Sequence, residues 1–275
     1  MADKNIKAIL CPRCGKLVSA NAEACIHCGM KRPGRWRGIP LIQSILGGKL
    51  SYVDGIVSAA VILYVVSLLI DPRAIFQIRG IFDILSPSGI VLYLLGMTGS
   101  GAMAEGRWWT LFTAIYLHGS LLHILFNVLW IRQLGPVVED LFGASRFFVI
   151  FTAAGVIGFV VSNMFGVAYT IGASGSIFGL LGAVIFYGRH RGGSFGFHIY
   201  RQTMQWAVIL FLFGFFMSGI NNFAHAGGFV GGYLTAMLLG YRELKPETLL
   251  HRRMALAALG LTGLSFLIVF LRLLF

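Results

Sequence analysis

The chain has 275 residues, 57% of them hydrophobic and only 12% charged, with a mean hydropathy of +0.81 and a formal charge of +12. No soluble globular domain of this size carries so much apolar surface, so composition excludes a soluble enzyme and defines an all-α polytopic membrane protein of about seven spans of ~20 residues, with a small extra domain. The basic excess does not point to a nucleic-acid partner, because most of the 22 Lys and Arg fall in alternate loops, the pattern that membrane topology produces.

Residues 1–34 are polar, with no apolar stretch near Met1, so no cleavable signal peptide is expected. They hold all four cysteines of the chain, as Cys11-Pro12-Arg13-Cys14 and Cys25-Ile26-His27-Cys28, each pair followed by a glycine and the two ten residues apart. Each pair reaches one metal ion from a tight turn, and four thiolates close a tetrahedral site. The expected cofactor is therefore one structural Zn2+ on Cys11, Cys14, Cys25 and Cys28, in a ribbon with no open position for catalysis. Two alternatives stay open: disulfide pairing, which a reducing cytoplasm disfavours, and His27 in place of one cysteine. The segment resembles the small zinc ribbons fused to bacterial membrane proteins, and it is expected to offer a contact or regulatory surface to a cytoplasmic partner.

Residues 35–52 form a basic linker, with Arg35, Trp36, Arg37 and Lys49, suited to anionic lipid headgroups. The first span is expected at 53–70. A long loop over 71–107 contains a short apolar piece at 90–96, too short to cross a bilayer and read as a re-entrant or interfacial helix. The second span, 110–132, carries His118, His123 and Asn127, and Gly135 to Gly143 then make a compact turn. Spans follow at 146–166 and at 174–187, the latter short. A basic loop with Arg189, Arg191 and Arg201 leads to a Phe-rich span at 204–219, then spans at 223–241 and 254–274. The division expected is 53–245 for a six-helix core and 246–275 for an added C-terminal helix. With the N-terminus inside, eighteen of the 22 basic residues lie on the inner side, so the N-terminus is expected in the cytoplasm and residue 174 towards the outer face of a cell membrane.

The chemistry gathers in two stretches. Ile171–Ala183 reads IGASGSIFGLLGA, and Ala224–Gly232 reads AHAGGFVGG. Ser174 sits at the start of an apolar helix, where free backbone N–H groups can stabilise an oxyanion, and small residues let helices pack closely. Taken alone, the first stretch reads equally as a packing face. His225 changes that, since an ionisable group inside a membrane is a functional hypothesis: the pair suggests a nucleophile and its base. No Asp or Glu lies between Arg146 and Arg242, so the arrangement is a dyad unless a distant loop folds in. The same absence, with no His-Glu-x-x-His, leaves no basis for a metalloprotease or an aspartic protease. His123 and Asn127, four apart on one helix face, are candidate oxyanion donors; each alone also reads as an interhelical hydrogen bond. Phe178, one turn past Ser174, can stack on His225 or simply pack. His118 is read as structural.

In combination, Trp108-Trp109, His118 with His123-Ile-Leu-Phe-Asn127, Gly135-x3-Glu139-x3-Gly143, Gly172-Ala173-Ser174-Gly175 and Ala224-His225 resemble the rhomboid intramembrane serine proteases over about residues 50–245. The resemblance implies a six-span core, a serine below the outer surface in a water-filled cavity, and cleavage of single-span or multi-span membrane proteins within the bilayer. It carries the roles of nucleophile to Ser174, general base to His225 and oxyanion donors to His123 and Asn127, with no cofactor for catalysis. The Phe-rich span, with Trp206, Phe211, Phe213, Phe215 and Phe216, is expected to act as a lateral gate. The family often has arginine directly after the tryptophan pair, where this chain has Thr110, with Arg107 on the other side. Two rival readings stand beside this one, a catalytically silent rhomboid-like binding or chaperone protein and a transporter.

Overall fold

The computed structural model describes residues 8–11, 17–27, 29, 31–32, 51–76, 80, 83–217 and 219–274. The chain divides into two compact units, Met1–Gly55 and Ile56–Phe275. In the smaller unit, strands β1 (Ala8–Leu10) and β2 (Leu17–Ser19) pair antiparallel. Cys11, Val18 and Cys25 are buried together, with Ile9 and Ala22 against them. The turn after Cys25 closes through a 2.8 Å bond from the Gly29 N–H to the Cys25 carbonyl. Cys14, Cys28 and nearly all of the basic linker lie outside the described residues.

The helical part comprises α1 (Tyr52–Ile70), α2 (Gly89–Leu94), α3 (Ser100–Ala104), α4 (Thr110–Thr113), α5 (Leu121–Phe142), α6 (Ala144–Met164), α7 (Ser174–Arg191), α8 (Gly193–Phe216), α9 (Asn222–Leu239) and α10 (Leu249–Leu274). Four of these, α1, α5, α6 and α10, are long and apolar enough to cross a membrane on length and composition alone. The expectation was seven. Helices α7 and α9 run to 18 residues each, are rich in Gly and each carry one His; the small and polar residues that close packing demands dilute their apolar character.

Helix α7 is the axis of the bundle: every residue from Gly175 through Gly188 is buried. Helix α9 wedges between α7 and α6 on two glycine faces. A Cβ at Gly228 or Gly232 would overlap the backbone of Gly175 or Gly179 on α7, while Gly227 and Gly231 face Gly158, Val161 and Ile157 on α6. Backbones this close replace the missing hydrophobic drive between membrane helices with van der Waals packing. Helix α10 buries one stripe, His251, Ala255, Thr262, Ser265 and Val269, against α6 and α4, and turns its leucines outward.

Several boundaries differ from the sequence-based reading. The apolar run 110–132 is not one helix. Thr110–Thr113 and a 3-10 turn at Ala114–Tyr116 come first, the chain is extended at Leu117, and α5 starts afresh at Leu121. Ser120 caps it, accepting the His123 N–H at 3.3 Å, a side-chain cap that satisfies one of the free first-turn donors. Thr113 Oγ1 donates to the Gly96 carbonyl at 2.8 Å, tying the short piece to the long loop instead. The segment Gly135–Gly143 is not a loop, since α5 continues through Pro136 to Phe142. Arg189, Arg191 and Arg201 lie on helices, with Gly192 (φ 72°) and Gly193 (φ 67°) turning the chain from α7 into α8. The short apolar piece of the long loop is helical over Gly89–Leu94, with Val91, Leu92 and Leu95 buried against Leu117.

Candidate active site

Ser174 is the first helical residue of α7 and follows Gly172, whose φ of 113° turns the chain sharply into the helix. That conformation belongs to glycine. It also leaves no Cβ: one at Gly172 would stand 2.5 Å from His123 Nε2. The His225 ring reaches across from α9, and its Nε2 lies 2.9 Å from Ser174 Oγ. Phe178 stacks on the same ring, with centroids 4.3 Å apart and planes 18° from parallel. His225 Nδ1 is buried with no hydrogen-bond partner among the described residues. A flat aromatic face, not a carboxylate, therefore orients the imidazole.

Helix α9 is aimed by a residue outside the expected site. Asn221 accepts the Ala224 N–H at 3.1 Å and donates to Ser162 Oγ at 2.6 Å and Thr170 Oγ1 at 3.0 Å. One side chain thus caps the histidine helix and pins it to α6 and to the strand-like stretch before Ser174. An asparagine just ahead of a helical pattern is a readable cap signal. It was missed because the span was started on apolarity, at residue 223.

His123 and Asn127 lie on the inner face of α5. The Gly119 N–H donates to His123 Nδ1 at 3.3 Å. An accepting Nδ1 places the proton of the neutral ring on Nε2, which faces the Gly172 turn. Asn127 Nδ2 donates to the His123 carbonyl at 2.8 Å, using one of its two N–H bonds and keeping the other. His118 is buried, bonds through Nδ1 to the Tyr116 carbonyl at 3.2 Å, and sets its ring edge-on to that of His123, 5.0 Å between centroids with planes 67° apart.

The long loop is held from both sides. Thr98 and Thr170 form a two-way bridge of 3.3 and 2.8 Å, fastening the loop to the approach to Ser174. Thr110 Oγ1 bonds Thr98 Oγ1 at 3.1 Å. Arg107 donates to the Tyr93 carbonyl at 2.8 Å and lies 3.9 Å above the Tyr93 ring. Glu105 accepts from the Tyr93 hydroxyl and holds it above its usual range. At the other side of the site, the only ring contact joining α5 to α8 among the described residues is Trp130 against Trp206, 5.7 Å apart, while Phe211 touches Phe178 edge-on at 6.3 Å.

These features define a multi-pass helical membrane protein with a serine and a histidine meeting on two glycine-packed helices. The rhomboid domain matches residues 105–242, half of the chain, and the protein belongs to the rhomboid family. It is 37% identical over 149 residues to the Rhomboid protease GluP of Bacillus subtilis, covering 54% of this chain but only 29% of that protein. It is 32% identical over 169 residues to the Putative rhomboid protease YdcA of the same organism, covering 60% and 84%. Against the Rhomboid protease GlpG of Salmonella choleraesuis the identity is 33% over 134 residues, 47% and 48% of the two lengths.

Proposed function

We propose that the protein is an intramembrane serine endopeptidase that cleaves transmembrane segments of other membrane proteins through a Ser174–His225 dyad. The observation that carries this reading is the 2.9 Å approach of His225 Nε2 to Ser174 Oγ on a helix start. Ser174 Oγ attacks the peptide carbonyl and His225 Nε2 takes its proton, later passing it to the leaving amine. The tetrahedral oxyanion is met by the Ser174 backbone N–H, His123 Nε2 and the spare Asn127 N–H, donors already oriented by their own bonds. Water then hydrolyses the acyl-enzyme. The Trp130–Trp206 seam is the entry route for a substrate helix, and the basic-residue distribution puts the N-terminus in the cytoplasm and Ser174 towards the outer face of a cell membrane. The names of the relatives support the activity; retention of both Ser174 and His225 weighs against the silent binding protein, and the helices of the site carry no polar pathway for a transporter.

In the purified protein, Ser174→Ala or His225→Ala is expected to reduce cleavage of a single-span test substrate by about 10⁴-fold or more. Cleavage persisting in Ser174→Ala removes the dyad.

Residues 1–34 serve as a structural zinc ribbon with a cytoplasmic partner. Cys11 and Cys25, each 2% exposed and buried side by side, fit half of a closed thiolate site, with Cys14 and Cys28 as the other half. The metal's contribution there is a cross-link that stands in for a hydrophobic core. One zinc per chain is expected by elemental analysis, lost in the Cys11→Ser/Cys25→Ser double variant; a metal-free wild-type chain, grown with zinc, rejects the ribbon.

A further inference from the structure

The 3-10 turn Ala114–Tyr116 is three residues long, yet both halves of the candidate site hang from it. The Ala114 carbonyl accepts the Gly172 N–H at 2.8 Å, fixing the turn that presents Ser174. The Tyr116 carbonyl is bonded by His118 Nδ1 at 3.2 Å, and the His118 ring abuts that of His123. Ala114, Ile115 and Tyr116 are all buried. On the inner side, Ile115 lies against Gly155 of α6. What backs the turn from the other side is the outer half of α10. Phe266 sets its ring edge against Tyr116, 5.9 Å between centroids. One turn on, Val269 fills the space beside Gly96 and Thr113. Arg272 then lies 4.4 Å over the Trp109 ring.

The other end of α10 is anchored independently. Arg146, wholly buried on α6, donates to the carbonyls of Gly240, Lys245 and Pro246 at 3.2, 2.8 and 2.7 Å, and to His251 Nδ1 at 3.3 Å. His251 Nδ1 also accepts the Thr248 N–H at 3.0 Å. A buried cation with this many acceptors fixes its surroundings. The C-terminal helix is thus held at its base and bears on the turn with its far end.

We infer that α10 is a positioning element of the active site, which acts through Phe266 and Tyr116 on the Ala114–Tyr116 turn and so sets Gly172 and His118 together. The added helix is, on this view, part of the catalytic geometry and not an appendage to a self-sufficient core. The inference rests on the proposed protease reading for its kinetic consequence, but its structural consequence stands apart from activity. Phe266 touches no substrate and no reacting atom, so its loss moves kcat rather than KM. Misplacing reacting groups by about 1 Å from a remote change costs up to ~10²-fold, and a loosened turn is a smaller disturbance than that.

The experiment uses the full chain in liposomes with a fluorogenic single-span substrate, comparing Phe266→Ala, Phe266→Tyr and Leu267→Ala. Leu267 is an exposed neighbour on the lipid side. Phe266→Ala is expected to lower kcat by about tenfold with KM unchanged, Phe266→Tyr to restore it, and Leu267→Ala to behave as wild type. Tyr116→Ala should lower kcat likewise, and the double variant no further, since the two rings share one contact. Phe266→Leu, which keeps apolar volume and removes the ring, serves if Phe266→Ala does not purify as a folded protein. Amide exchange is the second readout: Phe266→Ala should speed exchange at residues 114–118 and at Gly172, but not across 224–232. Equal kcat in Phe266→Ala and Leu267→Ala, or unchanged exchange at Gly172, overturns the inference. A wild-type chain that neither cleaves nor reacts with a fluorophosphonate at Ser174 instead defeats the protease reading, and the exchange comparison then decides the positioning role on its own.

Discussion

Helices α7 and α8 follow one another with a single glycine between them, yet they meet their surroundings in opposite ways. Along α7 every residue from Gly175 to Gly188 is buried, whereas along the 24 residues of α8 only Gly196, Ala207 and Gly214 are. Helix α7 touches α9 backbone to backbone. Helix α8 reaches α5 through the Trp130–Trp206 ring contact and leaves Phe213, Phe215 and Phe216 exposed. The lesson is a division of labour. The proposed nucleophile and base, which must meet within a few tenths of an ångström, sit on the most closely packed pair of helices, because close-packed interiors resist displacement. The helix beside them packs backbone to backbone on α7 near its start, where Gly188 and Gly196 meet, but it reaches α5 through a separable aromatic contact, the kind that can open and reclose.

The sharpest way to break this contrast is to put a side chain into the rigid interface. A Cβ at Gly228 would overlap the carbonyl group and Cα of Gly175, and both partners are backbone, so neither can rotate away. Gly228→Val is expected to abolish cleavage, exceeding the ~10²-fold that a 1 Å misplacement costs, and to lower the unfolding midpoint, since overpacking costs about 1–3 kcal/mol or more. Cleavage and thermal unfolding of the purified variant check this. Near-wild-type turnover shows that the α7–α9 spacing is not what sets the dyad.

A smaller effect is expected where the site depends on one donor and not on the whole interface. Asn127→Ala removes the amide that bonds the His123 carbonyl and faces the proposed oxyanion position. Losing one such donor costs about 10² in kcat or somewhat more. KM should hold steady, because the interaction exists only once charge develops. A rise in KM at constant kcat assigns Asn127 to ground-state binding or to helix packing instead.

Most of the rigid half was legible in the sequence, and most of what brackets it was not. Glycine at Gly172, Gly175, Gly228 and Gly232 announces close approach, and a lone histidine among small residues announces chemistry. These are local signals, and the structure brings Ser174, Phe178 and His225 into contact. The break at Leu117–Ser120 does carry a signal, since His118-Gly119-Ser120 interrupt the apolar run and Ser120 is a readable cap; what stayed hidden is that Thr110 and Thr113 bond sideways to the long loop, which no helical pattern reveals. Arg146 stands in the sequence only as the first residue of the span 146–166. Its burial depends on carbonyls about a hundred positions later, and no one-dimensional pattern encodes that. Gly135-Pro136 suggested a turn, but proline is tolerated inside membrane helices when neighbouring groups satisfy the freed carbonyl.

The mildest test bears on the loose half. Trp130 and Trp206 meet edge to face at 5.7 Å, with Trp206 44% exposed. A pair of this kind contributes about 0.5–1.5 kcal/mol beyond its area. If opening this seam precedes substrate entry, that contribution is part of the barrier to entry, and removing it in Trp206→Ala should raise kcat/KM for a transmembrane substrate by roughly two- to tenfold. The Ser174–His225 contact is untouched, so the rate of fluorophosphonate reaction at Ser174, with a probe small enough to enter from water, should stay within about twofold. The two readouts together separate access from chemistry. A parallel rise in both points to a general loosening of the bundle; a fall in both means α8 is as much a part of the site as α7, and the contrast between the two helices is then one of packing density and not of function.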